Sequence, residues 1–145
     1  MDFVEMIPKR LYIGGRISSN DWLFVHDNIS AVINLQTLPD RPPFDFSNRV
    51  MIWTPLYVWT VPTIDWLDRL ITQIMDLFRQ GHRILIHCRF GIHRLGFVTT
   101  AFYMKQFGLT SEEALAAVKE KRPIVNPPEH YRQVLKQYEQ FLNVN

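Results

Sequence analysis

The stretch RILIHCRFGIHRLG, residues 83–96, decides the fold. It opens with a continuous apolar run, the pattern of a strand buried on both faces, and that run ends on Cys88. Arg94 stands six positions later with Gly91 between them. From Arg94 to Phe107 the chain is apolar nearly all round (Leu95, Phe97, Val98, Ala101, Phe102, Met104), which predicts a central helix closed by Gly108. A loop wrapped over a helix amino terminus aims backbone N–H groups at one point, and the helix dipole adds positive potential there. Such a pocket holds an oxyanion. The same field favours a thiolate, so Cys88 reads as a nucleophile, while Arg94 can fork two hydrogen bonds to phosphoryl oxygens and Gly91 allows the tight turn. The alternative for Cys88, a buried strand-end cysteine with no chemistry, is the commoner fate of a lone cysteine.

Working outward, LYIG (11–14), AVINLQ (31–36) and RVMIWTPL (49–56) read as further strands, and SSNDWLFVHDN (18–28) as a short helix opened by a Ser/Asn cap. TLPDRPPFDFSN (37–48) reads as a long loop inside the domain. Pro62 is expected to start a helix with Ile64, Leu67, Ile71, Ile74 and Phe78 at steps of three and four, ending at Gly81. Thr110 or Ser111, followed by Glu112 and Glu113, caps a helix to about Lys121. A last helix follows Pro127 and Pro128, with Tyr131, Val134, Leu135, Tyr138 and Leu142 on one face. Strands alternating with helices predict a three-layer α/β/α fold with a mostly parallel sheet of about 4–5 strands and helices on both faces. Sites in such folds lie at the carboxyl ends of strands, where Cys88 falls.

Composition agrees with one globular domain over residues 1–145: 47% of the residues are hydrophobic, 13% aromatic and 21% charged. A formal net charge of +2 implies no nucleic-acid surface. The single cysteine excludes an intrachain disulfide and an all-cysteine metal site, and suits a reducing, cytoplasmic setting. MDFVEMIPKR lacks the basic start of a secretory signal, and no apolar run is long enough to span a bilayer, so a soluble protein is expected.

His87, Cys88, Gly91 and Arg94 together resemble the signature of the cysteine-dependent protein tyrosine phosphatase superfamily, in particular its small, atypical dual-specificity type. Residues 7–36 look like the opening of those catalytic domains and residues 121–142 like their close. Rhodanese-type sulfurtransferases also pair a cysteine loop with an arginine, but their ring is one residue shorter. The resemblance implies a phosphomonoester hydrolase working through a phosphocysteine on Cys88, with His87 orienting the loop, no metal or other cofactor, and a phosphorylated protein or small phosphomonoester as substrate. A monomer is expected. It also implies that Arg89, Phe90, Ile92 and His93 shape the pocket beside Gly91, and that Arg122 and Asn126 buttress the loop. Tyr57 and Trp59 put aromatics near the opening, suited to stacking on a phenyl ring or to closing a core; Trp53 suits core packing. Glu129 and His130 have a weaker claim to the site.

The sequence departs from the family pattern twice. Leu95 replaces the hydroxyl residue that assists departure of the cysteine sulfur, and its loss should slow the second chemical step more than the first. Val58 stands where similar segments carry the general-acid aspartate, a group that contributes roughly 100- to 10,000-fold. Candidate substitutes are His93, Asp65, Asp40 and Asp45. Asp65 and Asp68 also suit a helix amino terminus, and solvated loop positions suit Asp40 and Asp45. Myotubularin-like phosphoinositide phosphatases, which lack the same aspartate, are similar in having an ionisable residue at the position of His93. Two other readings stay open: a pseudophosphatase-like module that binds phosphate or phosphoprotein with little turnover, and an inositol phosphate or phosphoinositide phosphatase.

Overall fold

The computed structural model describes residues 2–144. Five strands form one sheet in the order β1-β2-β5-β3-β4, from β1 (Phe3–Ile7), β2 (Leu11–Gly14), β3 (Ala31–Asn34), β4 (Val50–Trp53) and β5 (Ile84–His87). β2, β5, β3 and β4 run parallel, and β1 pairs antiparallel with β2. The expected α/β architecture with a mostly parallel sheet is the one observed. Side chains alternate across it: Ile84 and Ile86 face one core cluster and Leu85 the other, as do Ala31 and Ile33 against Val32. Each central strand is apolar on both faces because each face is covered.

α2 (Ile64–Arg79), α3 (Arg94–Phe107), α4 (Ser111–Lys121) and α5 (Glu129–Val144) share the larger cluster, with α3 in the middle. α1 (Trp22–Asn28) and the β3–β4 loop cover the opposite face. The predicted bounds of α3 hold, with Gly108 left-handed at φ 66° where a β-carbon would be strained. Thr110 and Glu113 form the reciprocal cap of α4. α2 starts two residues later than expected. Thr63, not Pro62, supplies the cap, its hydroxyl accepting from the Trp66 N–H at 3.1 Å. β1 was not anticipated: its turn places Lys9 at φ 60°, held by a bond from the Lys9 amide to Glu5, and no glycine announces it. Trp53 corrects a second expectation. It is 47% exposed at the end of β4, and its indole N–H donates to the Gln36 carbonyl.

Arg49 organises the smaller cluster. Its Nη1 donates to the carbonyls of Val25, His26 and Ile29 at 2.8–3.2 Å, closing the carboxyl end of α1. Its guanidinium also lies over the rings of Phe44 and Phe46, which anchor the long loop. Among the described residues no helix is long and apolar enough to cross a membrane. Arg49→Ala leaves helix-end carbonyls unpaired and should cost about 2 kcal/mol in denaturant unfolding, with the β3–β4 loop gaining protease sensitivity.

Candidate active site

β5 ends at His87 and α3 begins at Arg94, so residues 88–93 form a loop crossing the open end of the parallel strands. Both flanks are fixed by neighbouring strand ends. The Cys88 N–H donates to Gly14 at 3.3 Å, Arg16 N–H to Arg89 at 3.1 Å, and Leu35 N–H to the His87 carbonyl at 3.0 Å. Cys88 is 2% exposed, seated between the sheet and α3.

From beneath, the buried Arg122 donates through Nε to the Gly91 carbonyl at 2.8 Å and through Nη2 to both oxygens of Asp2 at 3.0 Å. Gly91 has φ 69°, and a β-carbon there would run into the Arg122 guanidinium and come within 2.9 Å of the Gly15 amide nitrogen. Glycine is required on both counts. Asn126 also meets the loop, through its backbone: its N–H donates to Ile92 at 3.1 Å and its carbonyl accepts from His93 Nδ1 at 2.6 Å. Its side chain goes instead to Arg132.

Arg94 donates through Nη1 to the carbonyls of Leu56 at 3.2 Å and Leu35 at 3.5 Å, which leaves Nε and Nη2 for an oxyanion. The Leu56 contact brings the next residues to the mouth. Tyr57 and Trp59 pack ring to ring at 5.3 Å, and both are exposed, as is Phe90. The amino terminus of α5 clamps this segment: Tyr131 OH donates to the Tyr57 carbonyl at 2.8 Å and His130 Nε2 donates to Val58. Burial pushes the Tyr131 phenol well above its ordinary range, against the opposing pull of Arg94, so the hydroxyl stays a donor. Sequence reasoning gave His130 only a weak claim and Tyr131 a place on the core face alone. Their capture of the loop backbone leaves no trace in residue spacing. Glu129 is exposed at the start of α5.

The candidate acids separate clearly. Asp40 is not a solvated loop carboxylate: its side chain is 6% exposed and lies 2.6 Å from Nε2 of the fully buried His87. That contact fixes the His87 imidazole and engages the Asp40 carboxylate. Asp45 accepts from the Ser47 N–H, and this bond holds its carboxyl below the usual range, in the ionised form. Asp65 pairs with Arg69 on the surface of α2, while Asp68 takes Lys105 and Tyr138. His93 stays in the loop, its Nδ1 donating to the Asn126 carbonyl. Leu95 is wholly buried in the core that holds Cys88, with no hydroxyl to offer the sulfur. Among the described residues no His, Cys, Asp and Glu side chains cluster as a metal site would need.

The chain is 39% identical over 150 residues to a probable rhodanese domain-containing dual specificity protein phosphatase of Dictyostelium discoideum, covering 97% of this chain and 29% of that protein. It is 28% identical to human dual specificity protein phosphatase 8, over 95% of this chain and 22% of that one. It therefore spans less than a third of either relative. The solved structure of Tk-PTP in its active form superposes with a TM-score of 0.83 at 25% identity, covering 96% of this chain and 97% of that one. The strand–loop–helix placing Cys88, Gly91 and Arg94 lies inside residues 11–141, which match the model of the dual specificity phosphatase catalytic domain, and the chain belongs to that family.

Proposed function

We propose that this domain hydrolyses phosphomonoesters by two displacements at Cys88. The observation that carries the reading is the loop itself: a buried cysteine and an arginine six positions apart, locked by Arg122, Gly91 and the Asn126 backbone over the α3 amino terminus. In the first step the Cys88 sulfur attacks phosphorus and the bond to the leaving oxygen breaks, while Arg94 and loop amides bind the nonbridging oxygens. Water then attacks the phosphocysteine, releasing phosphate and restoring the thiolate. The Asp40 carboxylate orients His87, which supports the loop from behind. His93 Nε2 supplies the proton to the leaving oxygen, because Val58 cannot and Asp40, Asp45, Asp65 and Asp68 are engaged elsewhere. Arg89, Phe90, Ile92, Tyr57 and Trp59 form the walls that meet the substrate.

Val58 and Leu95 also favour a second reading, a phosphate-binding module with little turnover. Retention of Cys88 beside Arg94 favours chemistry, since a binder needs the arginine but not the thiol.

Cys88→Ser should abolish turnover of an aryl phosphate while calorimetry still detects tungstate, whose contacts come from amides and Arg94. Wild-type protein that binds tungstate but turns over no phosphomonoester would establish the binding module instead.

If phosphocysteine breakdown is slow, an aryl phosphate should release a burst of phenol followed by a slower steady state, and Leu95→Ser should shrink that burst. Linear progress from the first turnover, the same in both proteins, would show that hydrolysis does not limit the rate.

With His93 as acid, rates should depend weakly on leaving-group basicity in the wild type and steeply in His93→Ala, which should also lose the basic limb of the pH profile. Because His130 and Tyr131 already fix the backbone around Val58, Val58→Asp in the His93→Ala background should recover about tenfold or more on alkyl phosphates. Equal slopes with and without His93 would exclude it.

A further inference from the structure

The first turn of α5 sends three consecutive side chains to the surroundings of the loop. His130 and Tyr131 hold the carbonyls of Val58 and Tyr57, on the segment that lacks the acid. Arg132 goes to a different segment, the one that touches His93. Its Nε donates to the Pro127 carbonyl at 2.8 Å and its Nη2 to Asn126 Oδ1 at 2.9 Å. Among the described residues Arg132 is in no ion pair, although Glu129 stands one turn before it. A half-buried guanidinium whose fork goes to two neutral oxygens of one dipeptide holds that dipeptide in place.

Asn126 in turn grips the phosphate loop at two points. Its N–H donates to the Ile92 carbonyl at 3.1 Å, and its own carbonyl accepts from His93 Nδ1 at 2.6 Å. That carbonyl lies, along the chain, between the two oxygens that Arg132 holds, and Pro127 restricts Asn126 to extended backbone, so its direction is fixed. The carbonyl decides which nitrogen of His93 works. A carbonyl oxygen only accepts, so the proton facing it belongs to Nδ1, and the proton that can be given up and regained is the one on Nε2. A ring free to turn over or to exchange tautomers would present the wrong nitrogen for part of the time.

We infer that Arg132 is a positioning residue for proton transfer, acting through Asn126 on the tautomer and aim of His93. This rests on the assignment of His93 as the acid. In the first displacement the Nε2 proton goes to the oxygen that leaves phosphorus. In the second, Nε2 takes a proton from the water that attacks the phosphocysteine, which restores the imidazolium. Nδ1 keeps its proton throughout. One turn of α5 thus holds the segment from which the acid is missing and aims the group that replaces it.

The test combines kinetics with the tautomer itself. Long-range proton–nitrogen NMR correlations identify the protonated nitrogen of His93, assigned by their loss in His93→Ala. With the imidazole neutral, the proton should sit on Nδ1 in the wild type and be divided between the two nitrogens in Arg132→Ala. Arg132→Ala should also lower kcat on an alkyl phosphate about tenfold, with a smaller change in KM, and steepen the leaving-group dependence part of the way to that of His93→Ala. Asn126→Ala removes Oδ1 and keeps the backbone carbonyl; it should repeat the effect, and the two substitutions together should cost no more than Arg132→Ala alone. Arg132→Lys, which can replace one of the two bonds, should recover part of the loss. A wild-type proton on Nε2, or additive losses in the double variant, overturns the positioning role. So does loss of tungstate binding by both Arg132→Ala and Asn126→Ala in the Cys88→Ser background, which would make Arg132 a builder of the loop. Wild-type slopes in both variants beside a steep slope in His93→Ala leave the acid standing and remove Arg132 from its positioning. An unchanged slope in His93→Ala itself would instead overturn the acid.

Discussion

The rest of the site depends on the bond from the buried Arg122 guanidinium to the Gly91 carbonyl. The carbonyls of this loop are tied from outside it, Ile92 by the Asn126 N–H and Gly91 by Arg122. Arg122 does this from the end of α4, and its second contact to Asp2 joins the region preceding β1 to the same cluster. Gly91 is the complement of this arrangement, since any side chain there would occupy the space the guanidinium takes.

Two further constraints fix the surroundings. The β3–β4 loop is long and rich in proline, yet it is ordered from both ends. Asp40 is tied to His87, and Phe44 and Phe46 are packed against Arg49 and the smaller core. The segment after β4 is tied from the α5 side by His130 and Tyr131. The site is therefore framed by three loops leaving the carboxyl ends of parallel strands, each restrained by a group far away in sequence. That framing explains how Val58 can stand in the acid's place without releasing the loop: the backbone is held through carbonyls, whatever side chain the position carries.

Much of this was legible in the chain. Continuous apolar strands, the nearly all-round apolar α3 and the spacing of Cys88, Gly91 and Arg94 are local patterns, and each has a local physical cause in burial, helix period or loop geometry. Arg122 was legible through resemblance. Asp40 was not, because a lone aspartate in a proline-rich loop carries no sign of the buried imidazole 47 residues away that it meets. Trp53 misled for a similar reason: its bulk suggests core, and only the end position of β4 puts it half in solvent. β1 escaped because its turn uses Lys9 in a left-handed conformation where glycine would have been the usual signal.

By itself, then, the sequence determined the class of fold and the spacing of Cys88, Gly91 and Arg94, since these follow from residue type and pattern along the chain, while the departures at Val58 and Leu95 were legible through resemblance to the family. Only the tertiary structure decided which partners the candidate carboxylates take and which carbonyls hold Arg94. Those outcomes depend on which strand ends become neighbours, and the β1-β2-β5-β3-β4 order that sets them comes from non-local pairing that no stretch of the chain encodes alone.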